Sequence, residues 1–513
     1  MGKNTNTKKP KRLLKIVHVV AEINPFFRSG GLGIVVPSLA NAQRDLGHEV
    51  AIVAPYYGSL IPKSLKRQLQ LKLVGTENIE FKNGGESGVI EPVEFYKSIQ
   101  DNGVVLYFIS HKKFFLRQKS IYGRRNDNAR FYLFDLAVLT LLQKINQQPD
   151  ILHCHDWHAG LIPFFLRTRF KNVLFWDNVT TVFTIHNLAY QFGHNWIHVD
   201  SLRRDDGRTA LPLPSDTKKM EVVNFSKRAI LNADIINTVS ETYREEILTR
   251  DFGEELHRIL KGRQKILFGI INGIDYQEYN PLTDQGIRQH YSDKSIERKT
   301  ANKSWLQKHF KFDVNPNIPV VVMTSRIVEQ KGYHLLKDAI ESLLTHDIQF
   351  IIMGDGNKEI IDFFKQVQTK HPTSFVITPF EQKYETSTYA GGDLFLLPSR
   401  FEPCGINQMI ALRYGCIPVV HHIGGLVDTI RDYDPRTGEG NGFVFKKYNP
   451  ESMVVAVARA VENFKHQDSW KELILTGMQE ANSWLLPAKT YIDLYYKGIW
   501  LHKKFYKEKY GKG

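Results

Sequence analysis

Pro398-Ser-Arg-Phe-Glu-Pro-Cys-Gly405 is the stretch whose reading decides the fold of this 513-residue chain. The apolar run Asp393 to Leu397 ends against it, and helical spacing begins near Ile406. A strand end, a sharp turn and a helix N-terminus therefore meet in eight residues that carry Arg400, Glu402 and Cys404. In a parallel α/β sheet that junction is where ligands bind, and N–H groups at a helix start favour an anionic group such as a diphosphate.

The same alternation extends on both sides of the turn. Ile318 to Ser325 is a β-branched run of the kind buried on both faces of a sheet. Tyr333 to His346 follows at helical spacing, then strand Ile348 to Met353, helix 357–370, strand Phe375 to Thr378, a short helix near Tyr384 to Ala390, and strand Cys416 to His421. The front half repeats the theme: strand 13–21, helix 32–46, strand Glu49 to Pro55, and later strands at Val104 to Ile109, Ile151 to His153, Thr181 to Ile185 and Ile235 to Val239. Helices are expected at Asp127 to Lys144 and Val222 to Leu231. Such alternation predicts an α/β fold of two Rossmann-like, doubly wound domains facing a central cleft. The expected division is a basic tail at 1–14, a first domain at 15–281, a second at 282–480, a helix at 481–503 crossing back, and a basic tail at 504–513.

Composition narrows the function classes. The net charge of +14 invites a nucleic-acid reading, but residues 1–15 carry +6 and residues 497–513 carry +5, which leaves +3 on the body. A body so near neutrality is not a nucleic-acid surface. The three cysteines form no disulfide framework, which points to a cytosolic protein. The early run Leu13 to Ile23 is broken by Lys15, His18 and Glu22, so no membrane span or signal peptide is expected there.

Several constellations could carry chemistry. Arg326 and Lys331 flank the turn after a buried strand, where two cations could neutralise a diphosphate or could stand as solvated surface charges. Arg28-Ser-Gly-Gly-Leu32 lies between a strand and a helix, and Gly30 and Gly31 would let backbone approach a phosphate or sugar. His153-Cys-His-Asp-Trp-His158 offers metal-ligand spacing, yet no second Cys/His cluster follows; a polar substrate wall, or histidines satisfied by local hydrogen bonds, is the better reading. His186-Asn187 ends the next strand and would point to the same region. Glu402 could serve the helix dipole or bind sugar hydroxyls. Cys404 could be a low-pKa thiol or a packed one, and Asn272-Gly273 could be a plain turn.

Assembled, these residues resemble the bacterial glycogen synthase and plant starch synthase family from about Lys15 to Lys497. The likeness rests on SRIVEQKG at 325–332, Gly391-Gly-Asp393, the 398–405 turn, ALRYG at 411–415 and Gly424-Gly-Leu-Val-Asp-Thr429. HCHDWHAG, TIHNLAYQ, TVSETYREEI and INGID add to it in the front half. The resemblance implies a GT-B-type fold and retaining transfer of glucose from ADP-glucose to the non-reducing end of an α-1,4-glucan primer. It implies no metal and no other cofactor. It casts Arg326 and Lys331 as diphosphate binders, Glu402 as the acid at the glucosyl unit, His158 as the histidine near the reacting centre and Asn272 as the asparagine of the NG-[IV]-D motif. Arg28, Gly30, Gly31, Phe380, Cys404, Gly405 and Asn407 would complete the nucleotide-sugar site; His158, His186 and Asn187 would form the sugar wall. Four positions depart from the family pattern: Arg28 for lysine, Ile34 for aspartate, Asn407 for threonine and Phe380 for tyrosine. Ile34 keeps open a non-catalytic or attenuated glucan-binding relative, and a UDP-glucose-dependent transferase of the same fold is a further alternative.

Overall fold

The computed structural model describes residues 12–83, 86–191 and 199–510. The chain divides into two compact units, the first comprising residues up to Thr238, Ile247–Phe268 and Ala488 onward, the second Val239–Glu246 and Gly269–Pro487.

The second unit is built on β10 (Val320–Thr324), β11 (Gln349–Met353), β12 (Phe375–Thr378), β13 (Leu394–Leu397), β14 (Ile417–His421) and β15 (Phe443–Phe445). They pair in parallel in the order β12-β11-β10-β13-β14-β15. This doubly wound order reverses between β10 and β13, which makes the gap beyond their carboxyl ends the topological switch point. The β-branched run 320–324 is fully buried because helices cover both faces. Helix Tyr333–Leu343 turns Leu335, Leu336, Ala339, Ile340 and Leu343 inward, as the spacing predicts. Gly391-Gly-Asp393 is structural: Asp393 Oδ2 accepts the N–H of Val320 at 2.8 Å and the Lys303 ammonium at 2.7 Å, fixing the entry of β10.

The first unit carries β1 (Lys15–Val19), β2 (Glu49–Pro55), β3 (Lys72–Asn83), β4 (Glu86–Ile99), β5 (Val105–Ser110), β6 (Ile151–His155), β7 (Thr180–Ile185), β8 (Ile235–Thr238) and β9 (Leu267–Gly269). Their order is β3-β4-β5-β2-β1-β6-β7-β8-β9. From β5 to β8 the sheet is parallel and doubly wound, with its own switch point between β1 and β6. The β3–β4 hairpin is antiparallel and extends one edge. Its polar, charged strands gave no apolar run to read in the sequence.

Three boundaries differ from expectation. The chain enters the second unit at Gly269 rather than near 281, because the loop after β9 is held there: the Ile274 N–H donates to the Asn482 carbonyl at 2.8 Å, and Gly273 packs on the backbone of Trp484. The last helix runs Leu485–Tyr510, so the expected 504–513 tail is helical to residue 510. Leu14, expected in the N-terminal tail, is fully buried, and its N–H donates to His48 Nδ1. The tail residues 1–11 and 511–513 lie outside the described residues.

Candidate functional site

At the switch point of the second unit, Lys331 ends a short turn after β10 and Glu402 sits in the turn after β13. The Lys331 ammonium lies 2.6 Å from Glu402 Oε2, and Ser399 donates to the same oxygen at 2.8 Å. Glu402 is buried, 5% exposed, so its charge is held by these two partners rather than by water. Arg326 is exposed and makes no ion pair among the described residues, which leaves a guanidinium open at the sheet edge. The two loops are tied by the Arg400 N–H donating to the Gln330 carbonyl at 2.9 Å. Asn407 Nδ2 donates to the Thr324 carbonyl at 2.9 Å and joins the start of helix Asn407–Arg413 to the end of β10. Gly405, at φ +70°, turns the chain into that helix. Phe380 follows β12 with an exposed ring, its N–H donating to Asp355 Oδ2 at 3.2 Å.

Cys404 is buried beside Asn272, and burial pushes its thiol up to about 12 against the lowering influence of Asn272. The low-pKa reading of this cysteine is thereby set aside: it is a packed thiol. Asn272 is itself buried, and its Oδ1 has no hydrogen-bond partner among the described residues. The segment 239–246, within the TVSETYREEI motif for which the sequence suggested no structural role, joins this unit after β8 as a strap. Ser240 donates to the Pro403 carbonyl at 2.6 Å, and Glu246 Oε1 accepts the Gly424 N–H at 2.9 Å.

In the first unit the switch point gathers a different chemistry. His158, just past β6, stacks on Tyr122 with ring centroids 4.7 Å apart. Tyr122 donates to Glu22 Oε1 at 2.6 Å, and Glu22 Oε2 accepts the N–H groups of Ser29 and Gly30 at 2.6 and 3.0 Å. The backbone donors expected to face a phosphate at Gly30 are therefore turned onto a carboxylate of the chain itself. Gly30 and Gly31 still leave room, for a β-carbon built at either meets nothing within 4 Å. Arg28 is half-buried in the same loop. Neither Glu22 nor Tyr122 was singled out by the sequence; a carboxylate closing an apolar strand, Val19-Val-Ala-Glu22, was the available signal.

Burial drives His158 well below the ordinary imidazole range, partly offset by the His155 carbonyl, and lowers His186 to about 3. The His186 N–H donates to Asp156 Oδ1 at 2.7 Å, and Asn187 supplies a second backbone donor to Asp156. Burial nevertheless raises Asp156 to about 7. His18, His153 and His155 bring one ring nitrogen each within 4.8 Å of one another, a spacing that could hold a metal ion. Each of their ring nitrogens, however, already meets a hydrogen-bond partner in the protein. The donor set fits a closed hydrogen-bond network better than a metal shell.

The sequence family described as starch synthase catalytic domain matches residues 15–262, and that of glycosyl transferases group 1 matches 306–473. Glycogen synthases of Desulforamulus reducens and Geobacillus stearothermophilus are each 36% identical to the chain over 94% of its length, covering 98% and 97% of their own. This chain belongs to the glycogen synthase and starch synthase family. A solved structure of the catalytic domain of starch synthase IV from Arabidopsis thaliana, bound to ADP and acarbose, superposes with a TM-score of 0.82 at 30% identity over 95% of this chain and all of that one. Sucrose-phosphate synthase from Thermosynechococcus elongatus shares the fold at a TM-score of 0.59 and 15% identity. The protein is thus a GT-B glycosyltransferase of the glycogen and starch synthase kind, and no described helix is long and apolar enough to cross a membrane.

Proposed function

We propose that the chain transfers glucose from ADP-glucose to the non-reducing end of an α-1,4-glucan with retention of configuration. The observation that carries this reading is the partly buried Lys331–Glu402 pair at the switch point of the second unit, with the open guanidinium of Arg326 on the same loop as Lys331. An arriving diphosphate offers Lys331 a doubly charged partner. Lys331 then leaves Glu402, and the freed carboxylate accepts hydrogen bonds from the glucosyl hydroxyls. Arg326 takes the second phosphate, so leaving-group charge is met by fixed cations and needs no metal. Phe380 stacks on the adenine, while Gly405 and Asn407 shape the loop that receives the nucleotide. Asn272 Oδ1 supplies a further acceptor. In the first unit, His158, His186 and Asn187 line the sugar wall, and Arg28, Gly30 and Gly31 form a loop with room for a phosphate or sugar. The Arabidopsis starch synthase structure, bound to ADP and acarbose, supports a nucleotide and a sugar ligand.

The test is glucose incorporation into an oligoglucan primer from ADP- and UDP-glucose at equal concentration. ADP-glucose is expected to win, and Lys331→Ala to lower kcat/KM by about 10²–10³-fold, the size of a lost transition-state donor. An unchanged rate in Lys331→Ala removes the phosphate role. Preference for UDP-glucose overturns the donor assignment, and absence of turnover with any nucleotide-glucose restores the non-catalytic alternative raised by Ile34.

A further inference from the structure

The buried polar groups of the first unit form one continuous hydrogen-bonded line. Gln43, His18, His153, His155, Asn237 and Tyr495 are all fully or almost fully inaccessible, and His186 lies at the partly exposed end. Neutral imidazole has one donor and one acceptor nitrogen, so in a closed line the direction of each bond dictates the next. Burial keeps these rings neutral.

The direction is set at the inner end. Asn237 Nδ2 reaches the Thr238 carbonyl at 3.4 Å and the Tyr491 hydroxyl at 3.0 Å, and the carbonyl can only accept. Asn237 Oδ1 therefore faces Thr184, whose hydroxyl donates to it. Thr184 must then accept from His153 Nε2, 2.5 Å away, which leaves His153 Nδ1 to accept from the Tyr495 hydroxyl at 2.8 Å. Tyr495, having donated, accepts from Gln43 Nε2 at 3.0 Å. Gln43 Oε1 consequently accepts from His18 Nε2 at 2.8 Å, His18 Nδ1 from His155 Nε2 at 2.9 Å, and His155 Nδ1 from His186 Nε2 at 3.0 Å. Every donor points the same way, toward Thr238.

We infer that Gln43 and Tyr495 are positioning residues that lock His186 in its Nε2–H tautomer, so that Nδ1 presents a bare acceptor to a sugar hydroxyl. This rests on the sugar-wall role proposed above for His186. The reason for a line this long is that a lone buried imidazole exchanges tautomers freely, whereas here reversal requires every amide, hydroxyl and ring in the line to turn together. It also accounts for a tyrosine of the last helix in a sheet otherwise built from the front of the sequence.

Two-bond 1H–15N correlation of 15N-histidine-labelled full-length protein reads which ring nitrogen carries the proton, with His186 assigned by its loss in His186→Asn. Wild type is expected to show His186 protonated on Nε2. Gln43→Leu leaves the His18 N–H without an acceptor; an orphaned donor is tolerated less well than an orphaned lone pair, so the His18–His155–His186 branch reverses and His186 protonates on Nδ1. Gln43→Glu keeps an oxygen toward His18 and holds the wild-type tautomer. Tyr495→Phe reverses the branch by the same logic through a flipped Gln43 amide, and serves if Gln43→Leu does not fold. With primer and ADP-glucose, kcat falls about tenfold in Gln43→Leu, KM for ADP-glucose stays, and Gln43→Glu restores the rate. A wild-type His186 protonated on Nδ1, or a tautomer unmoved in both Gln43→Leu and Tyr495→Phe, overturns the relay. A reversed tautomer with an unchanged kcat overturns the link to the sugar. The spectra decide the first point whatever the protein turns over, so failure of the glucosyltransferase reading is seen separately.

Discussion

Gly332→Ala should be far more damaging than an alanine at any open left-handed glycine, and the structure supplies the control. Gly332 has φ +77°, and Gly438 has φ +74°. Both substitutions incur the left-handed penalty of about 1–2 kcal/mol. They differ in what the new methyl meets. At Gly438 nothing lies within 4 Å; at Gly332 the β-carbon falls 1.9 Å from the Pro398 carbonyl oxygen, where real contacts do not go below 3.0 Å. The loops after β10 and β13 would have to part by about 1.1 Å to admit it. Overpacking of this kind costs a further 1–3 kcal/mol or so, giving roughly 2–5 kcal/mol at Gly332 against 1–2 at Gly438. The displaced loops carry Lys331 and Glu402, and a misplacement of about 1 Å can lower turnover ~10²-fold. Urea unfolding and primer elongation, run on both variants and wild type, decide the matter. Equal stability and equal turnover in the two variants would refute the argument that this close crossing builds the site.

Other outcomes follow from the buried groups. Asp156 stays protonated up to about pH 7 when folded and ionises near 3.8 when unfolded, so wild-type stability falls as pH rises between those values and levels off above. Asp156→Asn does not titrate; its stability advantage should therefore grow from nil near pH 4 to at most about 4 kcal/mol at pH 8, and a gap independent of pH in thermal melts would refute the burial of that carboxyl. Cys404, with its thiol pushed up to about 12, should resist iodoacetamide at pH 8 in the folded protein, as mass spectrometry would read. Rapid labelling without unfolding would contradict the packing. If the donor meets cations and the glucan neutral groups, as proposed, raising salt from 50 to 500 mM should raise KM for ADP-glucose several-fold and leave KM for primer almost unchanged; parallel rises in both would count against that division.

The sheet framework was legible because period and length carried it. Val320–Thr324, Gln349–Met353 and Leu394–Leu397 are buried on both faces and read as unbroken apolar runs. β3 and β4 went unread because polar and charged residues interrupt their apolar ones, and β15 because its short span, Phe443–Phe445, resembles any apolar triplet. Lys331 and Glu402 were found as separate motif residues, 71 positions apart; their pairing is a product of the β10–β13 reversal, which no local pattern encodes. Glu22 was seen only as an interruption of an apolar run, since its partners, Tyr122 and the Gly30 loop, come from other segments. The 3.0 Å link from Tyr495 to Gln43 spans 452 positions and had no counterpart in the sequence pattern at all.

The two units meet the same topological problem with opposite electrostatics, which suits the division of labour proposed above. Each sheet reverses its order once, and polar residues cluster on the strand ends and loops at that reversal. In the second unit the loops keep full charges, with Lys331 paired and Arg326 open. In the first, burial strips charge: His153, His155, His158 and His186 are neutral, and Asp156 is held protonated up to about 7. A diphosphate leaving with an extra negative charge needs fixed cations, whereas a sugar hydroxyl is recognised by neutral groups whose donor and acceptor faces are fixed in advance. Ionised imidazoles would offer donors only and could not accept from a hydroxyl. Desolvated imidazoles with locked tautomers therefore meet the physical requirement of the proposed glucan-reading wall, just as retained cations meet that of the proposed nucleotide site.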